Sequence, residues 1–169
     1  MFLYKDPTTV KYNEIDMEYA KWNDSATPGA SYTVWPALQH APPSPDCPRA
    51  DQRPQIDASN LGHGLVSDIT SGVTEPLHCT HDFQPNFTSN LSTHRITWNS
   101  RNVSFETLDD LANGTQLSVS SYAFAPHLPK VFIPQAPMSV RLNLYVLDGG
   151  PLDDREVEVV VHGVEVPSN

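Results

Sequence analysis

The segment that decides the fold is YNEIDMEYAKW, which runs from Tyr12 to Trp22. Within it, acidic residues at positions 14, 16 and 18 alternate with the apolar Ile15 and Met17. On an α-helix the middle acid would lie on the far side, because each residue turns the helix by about 100°. On a strand all three acids share one face. The pattern therefore predicts a half-buried β-strand whose apolar side faces inward and whose acidic side is exposed.

Further strands are predicted from alternation and turn residues on the C-terminal side of this segment. ASYTVWP (30–36) is expected to pair with the acidic strand across a long polar loop, and STHRITW (92–98) to form a second hairpin with NVSFETL (102–108). QLSVSSYAFA and KVFIP are further strand candidates. No convincing amphipathic helix is found, so the pattern predicts an all-β chain folded as an antiparallel β-sandwich.

Two segments near the C-terminus are also predicted to be strands. SVRLNLYVLDGG (139–150) places four aliphatic residues on a core-facing side, and REVEVVVHGVEV (155–166) is a β-branched closing strand. The four aliphatic residues are Val140, Leu142, Leu144 and Val146.

Composition narrows the class of partner. The 169 residues suit one domain, residues 1–169, and no repeat or charge boundary divides them. A net charge of -10 disfavours nucleic acid and anionic membranes, whereas neutral polysaccharides meet no such objection. No apolar run of about 18 residues is present to span a membrane, and MFLYKDPTTV lacks the features of a signal peptide. Composition therefore leaves a neutral polysaccharide open as a partner, and we expect a monomer.

The cysteines and the glycosylation motifs are compatible with secretion but do not by themselves decide the cellular location of the protein. Cys47 and Cys79 would form one disulfide in an exported protein. Five Asn-X-Ser/Thr motifs permit a secreted, glycosylated chain, although a bacterial chain rich in Ser, Thr and Asn would carry them without any glycan. Their asparagines are Asn23, Asn86, Asn90, Asn102 and Asn113.

Three carboxylates on one strand face suit a defined chemistry. Hydrolysis of a glycosidic bond with retention needs a nucleophilic carboxylate and a carboxylic acid about 5–5.5 Å apart. The Cα atoms of Glu14 and Glu18 would lie about 13 Å apart, and their side chains can lean together towards that separation. Asp16 lies between them and can hydrogen-bond Glu14. Mutual repulsion of the carboxylates raises the pKa of one of them, which can then serve as the acid. Spacing alone allows a solvated strand face or a calcium site equally well.

Here the sequence resembles a known family. NEIDMEY is similar to the Glu, aliphatic, Asp, apolar, Glu signature of glycoside hydrolase family 16, a concanavalin A-like family of β-jelly-roll glucanases and transglycosylases. Other segments agree in order: MFLY, THRITWNSRNVSF and VRLNLYVLDGGPLDDREVEVVV resemble, respectively, the strand before the signature, a hairpin and the C-terminal strands of that family. The resemblance implies a jelly roll with its N-terminal strands missing from this chain, and a secreted or extracellular location.

The resemblance also implies roles for individual residues. Glu14 would be the nucleophile, Asp16 its assistant and Glu18 the general acid/base. Aromatic rings and amides that flank such a cleft bind sugar. The candidates for substrate binding are Tyr12, Trp22, Asn143 and Tyr145, each of which is as readily explained by ordinary packing or surface exposure. Trp35 is a weaker wall candidate, and Trp98 is expected in the core.

Other sites find little support. LHCTHDF (77–83) gathers His78, Cys79, His81 and Asp82, but a second ligand pair at zinc spacing is missing, so a polar loop is expected there. No cofactor is predicted, and a structural calcium ion stays open. The sequence therefore predicts a retaining endo-glycosidase acting by hydrolysis or transglycosylation. Its rivals are a non-catalytic carbohydrate-binding sandwich and an inactive fragment.

Overall fold

The computed structural model describes residues 1–5, 13–20, 29–38, 46–47, 78–144 and 158–166. Within these ranges the chain forms eight strands and one short helix. They are β1 (Phe2–Tyr4), β2 (Glu14–Glu18), β3 (Ala30–Val34), β4 (Cys79–Phe83), β5 (Ser92–Trp98), β6 (Val103–Asp110), β7 (Gln116–Phe124), α1 (Pro129–Phe132) and β8 (Ser139–Arg141). The strands make a five-stranded sheet, in the order β4-β3-β2-β1-β8, and a three-stranded sheet, β5-β6-β7. All described pairings are antiparallel, which confirms the all-β prediction.

The acidic strand lies at the centre of the five-stranded sheet. β2 is the strand that its period-two pattern predicts; it pairs with β1 on one side and, as expected, with β3 on the other. Its inward residues Ile15 and Met17 are 0% and 1% exposed. Burial of these two side chains holds the register, because a slip of one residue would turn the acids into the core.

The core lies between the two sheets and contains a stack of aromatic rings. The ring of Tyr32 from β3 lies 4.8 Å from that of Phe105 from β6 and nearly parallel to it. The Tyr32 hydroxyl donates a 2.7 Å hydrogen bond to Oγ1 of Thr107, which satisfies a polar group that would be costly to bury alone. Trp98 packs against this core and donates from Nε1 to the carbonyl of Pro134, which confirms its expected place.

A disulfide joins Cys47 to Cys79, the first residue of β4, as the sequence suggested. The two cysteines are 32 residues apart, and closing a loop of that size lowers the entropy of the unfolded chain. We expect reduction to lower the free energy of unfolding by about 3 kcal/mol. Urea unfolding with and without a phosphine reductant measures this change. A Cys47→Ser, Cys79→Ser double variant should show no response to the reductant, and an unchanged wild-type midpoint would contradict the expectation.

Two predictions between residues 77 and 134 are wrong. Residues 79–83 form strand β4 rather than a polar loop, because they add to the edge of β3 in register. KVFIP contributes to α1 and its end rather than to a strand. Pro129 begins that helix, where the fixed backbone angle of proline suits the first turn, and Ile133 ends it by donating to the Pro129 carbonyl.

The first C-terminal strand prediction is confirmed at residues 139–141, which form β8, but it is wrong at residues 142–144, which form no strand. The second is wrong in its described part, because residues 158–166 form no strand. The aliphatic side chains in both stretches are exposed, for example 60% for Leu144 and 61% for Val160. An alternating segment buries one face only where it pairs with neighbouring strands to form part of a sheet. In the described parts of these two segments, only β8 pairs with another strand. Val146 lies outside the described residues.

Candidate active site

Glu14, Asp16 and Glu18 project from the same face of β2, opposite the core face that carries Ile15 and Met17. Cross-strand neighbours share a face of a sheet, so the antiparallel register identifies the residues beside the acids. On β1, Tyr4 lies opposite Glu14 and Phe2 opposite Asp16. We call this surface of the five-stranded sheet the acidic face.

β1 and β8 extend the acidic face with two aromatic rings and one positive charge. Arg141 lies opposite Phe2, and its guanidinium sits 4.6 Å from the centre of the Tyr4 ring. A cation over an aromatic face is attracted by the negative potential of the ring. The same charge acts on Glu14 and favours its ionised form.

β3 and β4 border the other side of the acids with hydroxyl groups. Thr33 lies opposite Asp16, and Ser31 opposite Glu18. Thr33 and Thr80 on β4 are buried with their hydroxyl oxygens 3.2 Å apart. These short neutral side chains add no charge to the acidic face.

Trp35 follows β3 and fixes the central acid. Its indole Nε1 donates a 2.7 Å hydrogen bond to Oδ2 of Asp16, and its backbone N–H donates to the Glu14 carbonyl at 3.2 Å. The indole ring also contacts the His78 ring, with centroids 4.5 Å apart. Asp16 makes a side-chain hydrogen bond to Glu14 as well. It is therefore held between a nitrogen donor and a second carboxyl group.

The expectation that the acidic side is exposed is wrong. Asp16 is only 6% exposed, and Glu14 and Glu18 are half-buried. The central position of β2, between β1 and β3, removes water from the middle acid. Buried carboxylates favour the protonated state, so the strand face has become a site with perturbed acidity.

The pKa values of two acids follow from this burial. Desolvation, with the nearby charge of Glu18, raises the pKa of Glu14 to about 7, although the hydrogen bond from Asp16 and the charge of Arg141 oppose the shift. Desolvation and the charges of Glu14 and Glu18 raise the pKa of Asp16 well above its ordinary range, against the opposing hydrogen bond from Trp35. Asp16 therefore favours its protonated form and donates that proton in a hydrogen bond to the Glu14 carboxylate.

The residues predicted from the sequence to bind substrate are not found beside the acids in the described part of the chain. Tyr12, Trp22 and Tyr145 lie outside the described residues. Asn143 was expected on a strand beside the acids, but it is exposed and lies beyond the end of β8. Trp35, a weak wall candidate by sequence, instead contacts the central acid.

Sequence reasoning missed Tyr4 and Arg141 as members of the site. The signal for Tyr4 was the short FLY segment, whose first and third residues share a face once β1 pairs with β2. Arg141 alternates with the aliphatic residues of the 139–150 segment, but only the order of strands in the sheet places it beside β1. A single sequence does not specify that order.

The cluster of possible metal ligands around Cys79 is divided by the strand. Cys79 and His81 face the core. Cys79 forms the disulfide with Cys47, and the His81 ring stacks on that of Tyr122. Asp82 lies on the acidic face, opposite Ser31. Among the described residues, no group of three or more His, Cys, Asp or Glu side chains is arranged to hold a metal ion. The helix in the described ranges is also too short to cross a membrane.

The hydrogen bond between Asp16 and Glu14 predicts different effects of two substitutions. Asp16→Asn keeps an amide N–H donor for Glu14 and an oxygen that accepts from Trp35, and, like the protonated acid, it carries no charge. We expect the pKa of Glu14 to stay at about 7 in this variant. In Asp16→Ala the donor is lost, and the pKa of Glu14 should rise. Titration of ¹³C-labelled glutamate carboxyl groups by NMR measures both; equal pKa values in the two variants would contradict this hydrogen bond.

The raised pKa of Asp16 also predicts how stability depends on pH. The folded chain keeps a proton that the unfolded chain releases near the ordinary value of 3.8, so this contribution to stability is lost as pH rises from there through the folded pKa. We expect the melting temperature of the wild type to fall more steeply over this range than that of Asp16→Asn. Parallel slopes in thermal unfolding of the two proteins would contradict the expectation.

No match to the chain is found among models of known protein families, among curated proteins or among solved structures.

Proposed function

We propose that the chain is a retaining endo-glycosidase that resembles glycoside hydrolase family 16 and cleaves a neutral polysaccharide such as a β-glucan. The observation that carries the proposal is the arrangement around Asp16, which joins Trp35 to Glu14 on a face that also bears Glu18. The sequence signature Glu, aliphatic, Asp, apolar, Glu supports the same assignment. The proposal includes a jelly-roll topology and secretion.

Glu14 acts as the nucleophile. Its carboxylate attacks the anomeric carbon and forms a covalent glycosyl-enzyme while the leaving oxygen departs. The hydrogen bond from protonated Asp16 orients this carboxylate. The charge of Arg141 also favours its ionised form. Because the pKa of Glu14 is about 7, the acidic limb of the pH profile should reflect its deprotonation.

Glu18 serves as the general acid and then as the general base. It lies two residues from Asp16 on the same face, and its charge raises the pKa of both Glu14 and Asp16. It protonates the leaving oxygen in the first step and removes a proton from the attacking water in the second. When a sugar hydroxyl takes the place of that water, the same steps transfer the glycosyl group to a new chain.

The surroundings of the acids suit a neutral sugar. Tyr4 and Phe2 lie beside Glu14 and Asp16 and offer apolar rings to the C–H surfaces of sugars. Three carboxyl groups and a net charge of -10 disfavour a strongly anionic polymer. A polysaccharide without charged substituents meets neither obstacle.

The experiment is a reducing-end assay on a panel of β-glucans, galactans and xyloglucan. We expect reducing ends from at least one polymer, and ¹H NMR of the first products should show the anomeric configuration of the original bond. Release of the inverted anomer would contradict a glycosyl-enzyme. Binding without any cleavage, by a chain that unfolds cooperatively on heating, would replace the proposal with a non-catalytic carbohydrate-binding sandwich. A chain that neither unfolds cooperatively nor cleaves would be an inactive fragment.

A further inference from the structure

Four of the Asn-X-Ser/Thr motifs lie in the described residues, with asparagines at positions 86, 90, 102 and 113. Transfer of an N-linked glycan requires both chemical groups of the motif, the asparagine carboxamide and the hydroxyl two residues later, in an accessible surface segment. The structure distinguishes one of the four motifs from the rest.

Asn113 lies at the tip of the turn that joins β6 to β7 and is exposed. Its Oδ1 accepts a 2.9 Å hydrogen bond from the backbone N–H of Thr115, so the carboxamide is folded over the residue whose hydroxyl completes the motif. Gly114 between them adopts a φ of 82°, which a residue with a side chain rarely takes. The turn is closed by a 2.9 Å bond from Leu111 N to the Thr115 carbonyl. The Asn113 amide nitrogen and the Thr115 hydroxyl make no hydrogen bond with the described residues.

The other motifs differ from that of Asn113 either in the exposure of the asparagine or in the engagement of the hydroxyl. The Oδ1 of Asn102, like that of Asn113, accepts a hydrogen bond, here from the Asn99 side chain at 2.8 Å, but Asn102 is half-buried beside the fully buried Val103. The hydroxyl that completes the Asn86 motif belongs to Thr88, which donates to Asp109 at 2.6 Å.

The motif of Asn90 is completed by Ser92, whose Oγ lies 2.9 Å from Nε2 of His94. Asn86 and Asn90 are both exposed, so only their hydroxyl partners set them apart from Asn113. Asn113 alone among the described motifs combines an exposed asparagine with an amide nitrogen and a motif hydroxyl that make no hydrogen bond with the described residues.

We propose that Asn113 is an N-glycosylation site. The co-reactant is an oligosaccharide carried on a polyisoprenyl diphosphate, together with the transferase of a secretory pathway. The amide nitrogen of Asn113 forms a bond to C1 of the sugar, the C1–O bond to the diphosphate breaks, and the lipid diphosphate leaves with that electron pair. The amide gives up one proton to a base of the transferase.

Two observations favour exposure of the chain to that machinery. The disulfide between Cys47 and Cys79 is the kind of bond that persists in oxidising, secretory compartments. The glycan would also extend from a turn tip into solvent, where it displaces no described contact. The inference depends on export and does not depend on the proposed reaction.

The test is secretion of the full chain from yeast behind a cleavable leader, followed by peptide mass spectrometry. An amidase that releases N-glycans converts each occupied asparagine to aspartate, which marks the site. We expect Asn113 to be occupied and Asn102 to be unmodified. Asn113→Gln and Thr115→Ala should each lose one glycan, whereas Thr115→Ser should keep it and the matched Asn102→Gln should lose none.

Wild-type secreted protein with an unmodified Asn113 would overturn the proposal, whether or not another motif is occupied. This readout needs no variant, so it holds even where a substitution impairs folding. Equal occupancy at Asn102 and Asn113 would overturn the argument from exposure. Polysaccharide cleavage is measured separately on the same secreted protein, and its absence leaves the glycan result unaffected.

Discussion

Glu14→Gln is expected to lower kcat on the preferred polysaccharide by on the order of 10⁴-fold or more, the scale seen when a covalent nucleophile is removed. The amide is close in size and shape to the carboxyl group, and so it leaves β2 and its register intact. It lacks the negative charge that attacks the anomeric carbon. The measurement is the initial rate of reducing-end release by purified wild type and variant at saturating substrate.

Two controls separate chemistry from folding. The melting temperature of Glu14→Gln should be at least that of the wild type at pH 8, because the substitution removes a half-buried charge that Glu18 repels. Glu106→Gln, on the outward side of the other sheet, should keep wild-type activity, although it loses an exposed ion pair with Arg95. Wild-type activity in Glu14→Gln would exclude Glu14 as the nucleophile.

External azide provides a further distinction. In Glu14→Ala the missing side chain leaves room for a small anion, which can attack the anomeric carbon from the side that Glu14 normally occupies. The product would be a glycosyl azide of inverted configuration. An inverted glycosyl azide from Glu14→Ala, together with only the retained anomer from Glu18→Ala, would assign the nucleophilic role to Glu14 specifically.

The part of the fold predicted from sequence is the part fixed by local rules. The alternation of Ile15 and Met17 with the acids specified strand β2 and its two faces, because the side-chain period of a strand is two. The tight turn after Trp98 likewise specified the hairpin of β5 and β6. In both cases the information lies within a few residues of the element that forms.

The remainder depends on contacts between segments that are distant in the chain. Strand β4 adds to β3 although 44 residues separate the last residue of β3, Val34, from Cys79. The hydrogen bond from Trp35 to Asp16 requires both a hairpin register and a side-chain direction, which composition does not encode. Burial of Asp16 arises in the same way, from strands on either side of it. The sequence therefore identified the acids and the charge repulsion that raises a pKa among them, whereas it did not predict the burial that is the largest cause of the shifts in Glu14 and Asp16.

The inter-sheet core predicts the largest loss of stability. Phe105 is 2% exposed, and its ring stacks on Tyr32, which neighbours Met17 across the β2–β3 register. Phe105→Ala removes the ring from a close-packed interior and leaves a cavity. We expect the free energy of unfolding to fall by about 3–5 kcal/mol, which is a large part of the stability of an ordinary domain. Urea denaturation followed by tryptophan fluorescence measures the change.

The matched control lies on the neighbouring strand. Leu117 on β7 is 48% exposed, and so Leu117→Ala should change the free energy of unfolding by only about 0.5 kcal/mol. A Phe105→Ala loss as small as that of Leu117→Ala would show that the two sheets do not depend on this aromatic stack. A large loss of stability would indicate that the aromatic stack also supports the strand that carries the acids. Met17 lies on the core face of β2, opposite the face of Asp16 and Glu18, and it contacts Tyr32 and Thr107 there. Loosening this contact should reduce kcat at temperatures where Phe105→Ala is still folded, since the acids would no longer be held in one arrangement.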